Sequence, residues 1–173
     1  MKKAIKILFV AAAMLLGTQA FGQITFTAGY QQLSYQEDDL SVNYNGFYAG
    51  AMKAFNITDV FYFEPGLLFD MAFNDGDNIS YLRIPLHVGA GMALGNGFDL
   101  FANAGPGFSI GLFGTNDPFD YLNRFDVNLG LEAGLRINSK YEFRFGYDWG
   151  LLKVTDEGKA HKNIIHVGLA YCF

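Results

Sequence analysis

Cysteine is almost absent from this sequence of 173 residues, in which Cys172 is the only example. A single thiol cannot form an internal disulfide and cannot supply a thiol-rich metal site. We interpret Cys172 as a small side chain on a strand face, and we expect no metal and no cofactor.

Long apolar runs are also missing after residue 22. No segment there offers 18 uninterrupted apolar residues, which excludes a helical membrane protein on length. The first six residues include three lysines, and an apolar run at 7–16 with a small-residue exit follows. This order is typical of a cleaved signal peptide, and the run is shorter than the roughly 17 to 25 residues of an anchor helix. We predict a signal peptide at 1–22 and one mature domain at 23–173.

Basic residues are fewer than acidic residues in this sequence. The chain has 12 Lys and Arg against 17 Asp and Glu, and without the three lysines of the signal peptide the counts become 9 and 17. So acidic a chain would repel phosphates, and we expect no nucleic-acid partner.

Aromatic residues and glycine are abundant, with 18 Phe, 10 Tyr and 21 Gly, and the dominant period of the apolar residues is two. A period of two predicts strands. We expect eight, at 24–34, 43–55, 60–73, 79–94, 98–113, 124–137, 141–154 and 164–173. Their connections alternate between tight turns (56–59, 95–97, 138–140) and longer, acidic segments (35–42, 74–78, 114–123, 155–163). Such alternation is typical of outer-membrane barrels with both termini on the periplasmic side.

The last six predicted strands have one face without any charged residue. The opposite face gathers the ionisable side chains, which we predict to form a charge network inside the barrel. Its members are Glu64, Asp70, Arg83, His87, Asp99, Arg124, Asp126, Glu132, Arg136, Glu142, Arg144, Asp148 and His166.

Alternation alone does not say which face lies inside, because a soluble lipocalin-like barrel also alternates. About eight strands enclose too little room for dozens of large rings. The polar face of these strands also carries Arg and carboxylates but no Lys, and Arg suits buried, bidentate carboxylate pairs. We therefore predict an all-β transmembrane barrel of antiparallel, up-and-down strands with its apolar face in lipid.

Several short strings resemble a known family, namely 46–50, 63–68, 81–86, 104–109 and the terminal strand. They are similar to small outer-membrane β-barrel domain proteins of Bacteroidetes-type bacteria, whose architecture is that of the OmpA and OmpX barrels. The resemblance covers the mature chain and implies the outer membrane of a Gram-negative bacterium. It also implies that Val167, Leu169, Tyr171 and Phe173 form the terminal signal read by the barrel-assembly machinery. It implies little about activity, because a fold does not give a function.

The ionisable side chains predicted inside the barrel can be interpreted in two ways. Ionisable groups at membrane depth can form a proton relay, an ion path or an active site. In a narrow barrel they can instead pair and plug the lumen, which we favour. A lipid-modifying enzyme would need a nucleophile beside a base, and the candidates are His87, His166 and Ser109. A Gly-x-Ser-x-Gly pattern occurs at 107–111, but it lies inside a predicted strand and not at the strand-to-helix turn of a nucleophile elbow. The sequence has no His-Glu-x-x-His motif, and we predict that the protein is not an enzyme.

Three prolines, Pro65, Pro85 and Pro106, interrupt consecutive predicted strands. Proline removes a ladder hydrogen bond and normally marks an edge or a bulge, and a barrel has no edge. One interpretation is a set of bulges that bends the sheet. The other is a lateral gap through which small apolar molecules pass. Simple register places Pro65 opposite His87, Pro85 opposite Leu67 and Pro106 opposite Leu86.

The predicted loops offer few further candidates. The acidic run 37–39 reads first as a solvated loop and second as a patch for cations or a basic partner. Phe119 and Tyr121 read either as partner contacts or as interfacial anchors. We therefore predict a monomeric barrel with a packed polar lumen, outer-membrane lipid as its surroundings, and a structural or surface-contact role.

Overall fold

The computed structural model describes residues 23–37, 40–116, 118–120, 122–155 and 160–173. The predicted signal peptide lies outside these residues, as do Asp38, Asp39 and Tyr121. The described residues form a closed barrel in which each strand pairs antiparallel with the next and β8 closes on β1. The strands are β1 (Gln23–Glu37), β2 (Leu40–Asn56), β3 (Phe61–Asn74), β4 (Asp77–Gly95), β5 (Phe98–Gly114), β6 (Phe125–Ile137), β7 (Tyr141–Gly150) and β8 (His161–Cys172). The predicted eight-stranded antiparallel barrel is confirmed. No helix in the described ranges is long and apolar enough to cross a membrane.

The alternation of side chains along β7 illustrates why the sheet closes with its charges inside. Phe143 and Phe145 are half exposed on the outer face, whereas Glu142 and Arg144, which alternate with them, are buried. Successive residues of a strand point to opposite faces, so the period of two in the sequence separates apolar from ionisable groups. The same pattern of buried and exposed positions runs along β6 and β8.

The two ends of the barrel differ in their connections. We call the end with Gln23, Phe173 and the turns after β2, β4 and β6 the turn end, and the opposite end the loop end. Two of the four long loops predicted at the loop end are wrong. β1 and β2 remain paired as far as Glu37 and Leu40, and β3 joins β4 through a two-residue turn. That turn is Asp75–Gly76, with φ of 48° and 91°, the positive values that match the twist of a tight hairpin.

The last two strands also differ from their predicted bounds. β7 ends at Gly150, four residues earlier than expected, and β8 begins at His161, three residues earlier. The earlier start of β8 brings Lys162 into the wall, where its side chain is buried.

The predicted bulges at the prolines are not present. Beside each proline, two consecutive residues on each of the two strands are left out of the pairing. The register is the same on both sides of this gap. The jumps are from Met52↔Gly66 to Phe55↔Phe63, from Pro65↔Leu86 to Leu68↔Arg83, and from Pro85↔Gly107 to Val88↔Ala104. Register shifts within β4 and β5 occur instead between Ile79 and Tyr81 and between Ala93 and Gly95.

Two of the three predicted partners of the prolines need correction too. Pro65 lies opposite Leu86 and not His87, because the Asp75–Gly76 turn sets the β3–β4 register one residue away from the assumed one. The same offset puts Pro85 level with Gly66 instead of Leu67. The β4–β5 register, from Pro85↔Gly107 to Val88↔Ala104, keeps Pro106 level with Leu86, as predicted.

The interior has two parts, which corrects the expectation of a uniformly polar lumen. From the cavity at the turn end to the middle, its buried side chains are mainly charged, with Tyr48, Met52 and Leu68 packed among them. At the loop end it is an apolar cluster of buried side chains, comprising Leu33, Ala72, Ile79, Tyr81, Phe119 and Ile164. The expectation came from strands with clean alternation, and it took no account of β1 or of the segment between β5 and β6.

Candidate functional site

Arg144 on β7 lies at the centre of the largest group of buried charges. Its Nη2 donates to Oε1 of Glu64 at 2.9 Å, its Nη1 to Oε1 of Glu132 at 2.8 Å, and its Nε to Oε2 of Glu142 at 2.6 Å. All four side chains are buried. The planar guanidinium offers several donors in fixed directions, which lets one side chain join carboxylates from β3, β6 and β7.

Neutral groups complete this arrangement, which we call the Arg144 cluster. Nδ2 of Asn103 donates to Oε2 of Glu64 at 3.1 Å and to Oε1 of Glu132 at 2.8 Å. The hydroxyl of Tyr62 donates to Oδ1 of Asn103 at 2.5 Å. Buried charges are tolerated when their remaining hydrogen-bonding capacity is satisfied, and Asn103 meets that need for two carboxylates.

Arg136 extends the Arg144 cluster toward the turn end. Its Nε donates to Oε1 of Glu142 at 2.6 Å, and its side chain keeps 19% of its surface exposed. The Phe101 ring lies 5.0 Å from the Arg144 guanidinium and 5.6 Å from that of Arg136. These distances are within reach of cation–π attraction.

Arg83 forms a second group with Asp70 and Asp148, which we call the Arg83 cluster. It donates to both Asp70 oxygens at 3.0 Å, and its Nη1 donates to Oδ2 of Asp148. Nε2 of His166 lies 3.9 Å from the same Asp148 oxygen. The Tyr48 ring packs edge-on against His166 with centroids 5.5 Å apart, which closes this part of the lumen.

A third group of buried charges is the ion pair of Lys162 and Asp126, which lies next to the apolar cluster at the loop end. Nζ of Lys162 is 3.2 Å from Oδ2 of Asp126 and 4.0 Å from the centre of the Tyr81 ring. Sequence reasoning missed Lys162 because it fell in a predicted loop. It also left out Tyr62, although the period of two on β3 places Tyr62 on the same face as Glu64.

Three predicted members are not brought into these clusters. Arg124 is exposed at the loop end, with its guanidinium 5.1 Å from the Phe119 ring. Asp99 is half-buried at the turn end, where it lines with Arg136 an open cavity of about 450 Å³. His87 is buried in the lumen.

Ser109, the candidate nucleophile of the enzyme hypothesis, is not paired with a base among the described residues. Ser109 is fully buried, and its Oγ has no hydrogen-bond partner among the described residues, so it forms no Ser–His pair there. Nδ1 of His87 and Nδ1 of His166 are likewise buried without a partner in that part of the chain. The described residues also contain no group of three His, Cys, Asp or Glu side chains that could hold a metal ion.

A family model described as an outer membrane protein beta-barrel domain matches residues 7–173. The chain belongs to this family. The apolar outer face of this outer-membrane barrel therefore lies in lipid, and the Arg144 and Arg83 clusters lie at membrane depth inside it.

Solved structures of other outer-membrane barrels are similar to it. Neisserial surface protein A is 12% identical, with a TM-score of 0.58, and covers 87% of this chain and 97% of its own. The outer membrane enzyme PagL is also 12% identical, with a TM-score of 0.57, and covers 87% of this chain and 98% of its own. Ail, the attachment invasion locus protein of Yersinia pestis, is 16% identical, with a TM-score of 0.51, and covers 88% and 99%. These likenesses show the fold alone. A comparison with curated protein sequences found no match.

Proposed function

We propose that this outer-membrane barrel is a non-conducting, non-enzymatic protein that stabilises the envelope and presents its loop end at the cell surface. In this orientation both termini are periplasmic. The observation that carries the proposal is the Arg144 cluster, in which a fully buried guanidinium joins carboxylates from three strands across the lumen.

An ion that passed through the lumen would have to displace these pairs. Removing one partner leaves the others buried and uncompensated, at a cost of about 3 to 5 kcal/mol. Asn103 also donates hydrogen bonds to Glu64 and Glu132, so these carboxylates are not free to act as ligands for a passing ion. A lumen built in this way favours a plug over a path.

A second layer supports a closed barrel. A single turn of 3-10 helix, Pro118–Asp120, places Phe119 in the loop-end mouth, where it packs edge-on against Tyr81 with centroids 5.6 Å apart. Phe119 is therefore neither a partner contact nor an interfacial anchor, the two roles considered from the sequence.

Conductance in planar bilayers tests the proposal. We expect the purified barrel to show no steady channels above background, whereas a porin in the same bilayers conducts. Steady single-channel steps from this protein would overturn the plugged-lumen proposal.

Orientation needs its own test. The variants Asp77→Cys at the loop end and Lys140→Cys at the turn end place thiols at exposed sites, and the native Cys172 is buried. A membrane-impermeant maleimide applied to intact cells should label the first and not the second. The reverse pattern would place the termini outside and would contradict a surface-contact role for the loop end.

A second candidate function is a lateral conduit for small apolar molecules. The favouring observation is that pairing is interrupted beside Pro65, Pro85 and Pro106, between four consecutive strands. Replacing each proline by Val should restore the ladder and slow uptake of an apolar solute by cells. Unchanged uptake would rule the conduit out. The fully buried Glu64 behind this wall favours the plug, because an apolar solute gains nothing beside a carboxylate.

A further inference from the structure

The outer face of the barrel changes character along β8, β1 and β2. On β1 the exposed Tyr30 is followed on the same face by Gln32, and on β2 the exposed Phe47 is followed by Asn45. On β8 the exposed Ile165 gives way to Asn163. β1 and β2 change at the same pair, where Gln32 lies opposite Asn45, whereas β8 changes one pair later, where Asn163 lies opposite Ser34. The edge of the apolar band on these three strands runs through these positions.

Beyond that edge the outer face carries amides and hydroxyls, and we call it the amide face. Its side chains are exposed or half-buried. They are Gln32, Ser34, Gln36, Ser41, Asn43, Asn45 and Asn163. None of these seven side chains carries a charge. Elsewhere at the loop end the described outward side chains Phe73, Phe125 and Trp149 are exposed and apolar.

The amide face is held together by its own hydrogen bonds. Oδ1 of Asn45 accepts from the Tyr30 hydroxyl at 2.6 Å and from Nε2 of Gln32 at 3.3 Å. Oδ1 of Asn43 accepts from the hydroxyls of Ser34 at 2.6 Å and Ser41 at 3.2 Å.

Asn163 links β8 to the same network. Its Nδ2 donates to Oε1 of Gln36 at 2.9 Å, and its Oδ1 accepts from the backbone N–H of Gly150 at 3.2 Å. The face therefore spans three strands and is anchored to a fourth.

This arrangement leaves a defined set of groups for a ligand. The carbonyl oxygens of Asn43 and Asn45 accept hydrogen bonds, and among the described residues no acceptor pairs with their amide N–H groups, a pattern that points to donors for a ligand. A surface that meets only water usually carries long charged side chains of both signs. Fixed, uncharged donors and acceptors instead complement the hydroxyls of an uncharged sugar, and they offer no cation for a phosphate. The exposed Tyr30 ring beside them adds an apolar platform for a sugar face.

We propose that the amide face binds the uncharged core sugars of a neighbouring glycolipid in the outer leaflet. The face starts where the apolar band ends, which is the level at which a membrane lipid presents its headgroup. This inference rests on the orientation proposed above, because only the outer leaflet carries such glycolipids.

Binding to the purified full-length mature barrel tests the inference without any need for orientation. The barrel in neutral detergent is titrated with lipopolysaccharide that carries its full core and with a truncated form that keeps only lipid A and the acidic inner sugars, so that the two share their acyl chains, phosphates and carboxylates. Native mass spectrometry counts the bound molecules. We expect the core sugars to strengthen binding about tenfold, the effect of one or two additional hydrogen bonds.

The variant Asn43→Leu/Asn45→Leu should lose this preference and bind both lipids equally. Asn43→Gln/Asn45→Gln keeps the amides and should retain part of it, and Asn56→Leu at the turn end is the matched control, with no change expected. Retained heat-modifiable mobility on gels would establish that each variant is folded.

Equal binding of the two glycolipids by the native barrel would overturn the inference, as would a preference that survives loss of both amides. A dimer that forms without glycolipid and is lost in the Leu variant would assign the face to a second copy. Failure of the cysteine-labelling experiment would instead contradict the orientation, so the two proposals fail in different measurements.

Discussion

Arg83 on β4 donates a hydrogen bond from Nη1 to Oδ2 of Asp148 on β7, and so joins two strands that are not neighbours in the wall. The same guanidinium holds Asp70 on β3 through two further hydrogen bonds. One side chain thus braces the barrel across its lumen, in addition to the backbone ladder around it.

This brace predicts strong coupling between Arg83 and Asp148. Arg83→Met should lower the free energy of unfolding by about 3 to 5 kcal/mol, because two carboxylates would remain buried without a cation. Asp148→Asn should lower the free energy of unfolding by less in the Arg83→Met variant than in the native protein. The difference, which is the coupling energy, should be about 1 to 3 kcal/mol. Guanidinium unfolding of the four proteins in detergent micelles measures the cycle. Pairing Arg83→Met with Asp99→Asn, at the turn end, should give additive effects, and strict additivity for Asp148 would contradict the brace.

A graded loss of stability is predicted for three cationic side chains. Arg144→Met removes the cation shared by three buried carboxylates and should destabilise by about 3 to 5 kcal/mol. Arg136→Met removes one partly exposed pair and should cost less, since exposed pairs contribute about 1 kcal/mol or less. Lys140→Met lies in an exposed turn and serves as the control. The temperature at which heat-modifiable mobility is lost ranks them, and an equal temperature for Arg144→Met and Lys140→Met would contradict the role of the cluster.

We predict that the Phe119 ring can pack in its observed position only if residue 111 is glycine. A Cβ at Gly111 would lie 2.1 Å from Cε1 of the Phe119 ring, so Gly111→Ala must displace it. We expect a loss of about 1 to 3 kcal/mol from overpacking, together with faster proteolysis within 114–124. At Gly91 the nearest atom to a new Cβ is 4.0 Å away, which makes Gly91→Ala the matched control. Unchanged proteolysis in Gly111→Ala would show that the ring does not depend on this contact.

Phe173 should matter more for assembly than for stability. Its ring is exposed and packs against Phe26 with centroids 5.4 Å apart. If Val167, Leu169, Tyr171 and Phe173 act as the terminal assembly signal, deletion of Phe173 should lower the amount of barrel in the outer membrane several-fold. Refolding of the same variant in detergent should be nearly unaffected.

Phe26→Ala separates the two roles of that contact. It removes the same ring pair without touching the C-terminus, so we expect normal insertion in cells. Equal loss of insertion in both variants would assign the effect to the packing of the rings.

The sequence predicted much of the charged lumen but not its partners. Period-two alternation places Glu64, Glu132 and Arg144 on one face, yet it contains no information on which carboxylate lies within reach of which guanidinium. That depends on the stagger between strands that are distant in the chain. The one-residue error at Pro65 has the same origin, because the Asp75–Gly76 turn fixes the register and its type was not evident from the face pattern.

The apolar cap at the loop end was not predictable in the same way. Leu33 belongs to β1, and Phe119 lies in a segment without regular alternation. Only the closure of β1 on β8 and the insertion of the 3-10 turn bring their side chains together. The amide face was not fully predictable either, since Gln36 and Ser41 become paired strand residues only when the β1–β2 hairpin extends through a segment that was predicted as a loop.

By itself the sequence determined that the chain forms a barrel with its charges inside, because successive side chains of a strand alternate and an uncharged face must be covered by lipid. Tertiary structure alone decided how the interior is sealed and where the outer surface turns polar. The pairing of Arg144 with Glu64, the packing of Phe119 on Tyr81 and the bond from Asn163 to the amide face all require contacts between residues far apart in sequence, and register and turn geometry set those contacts.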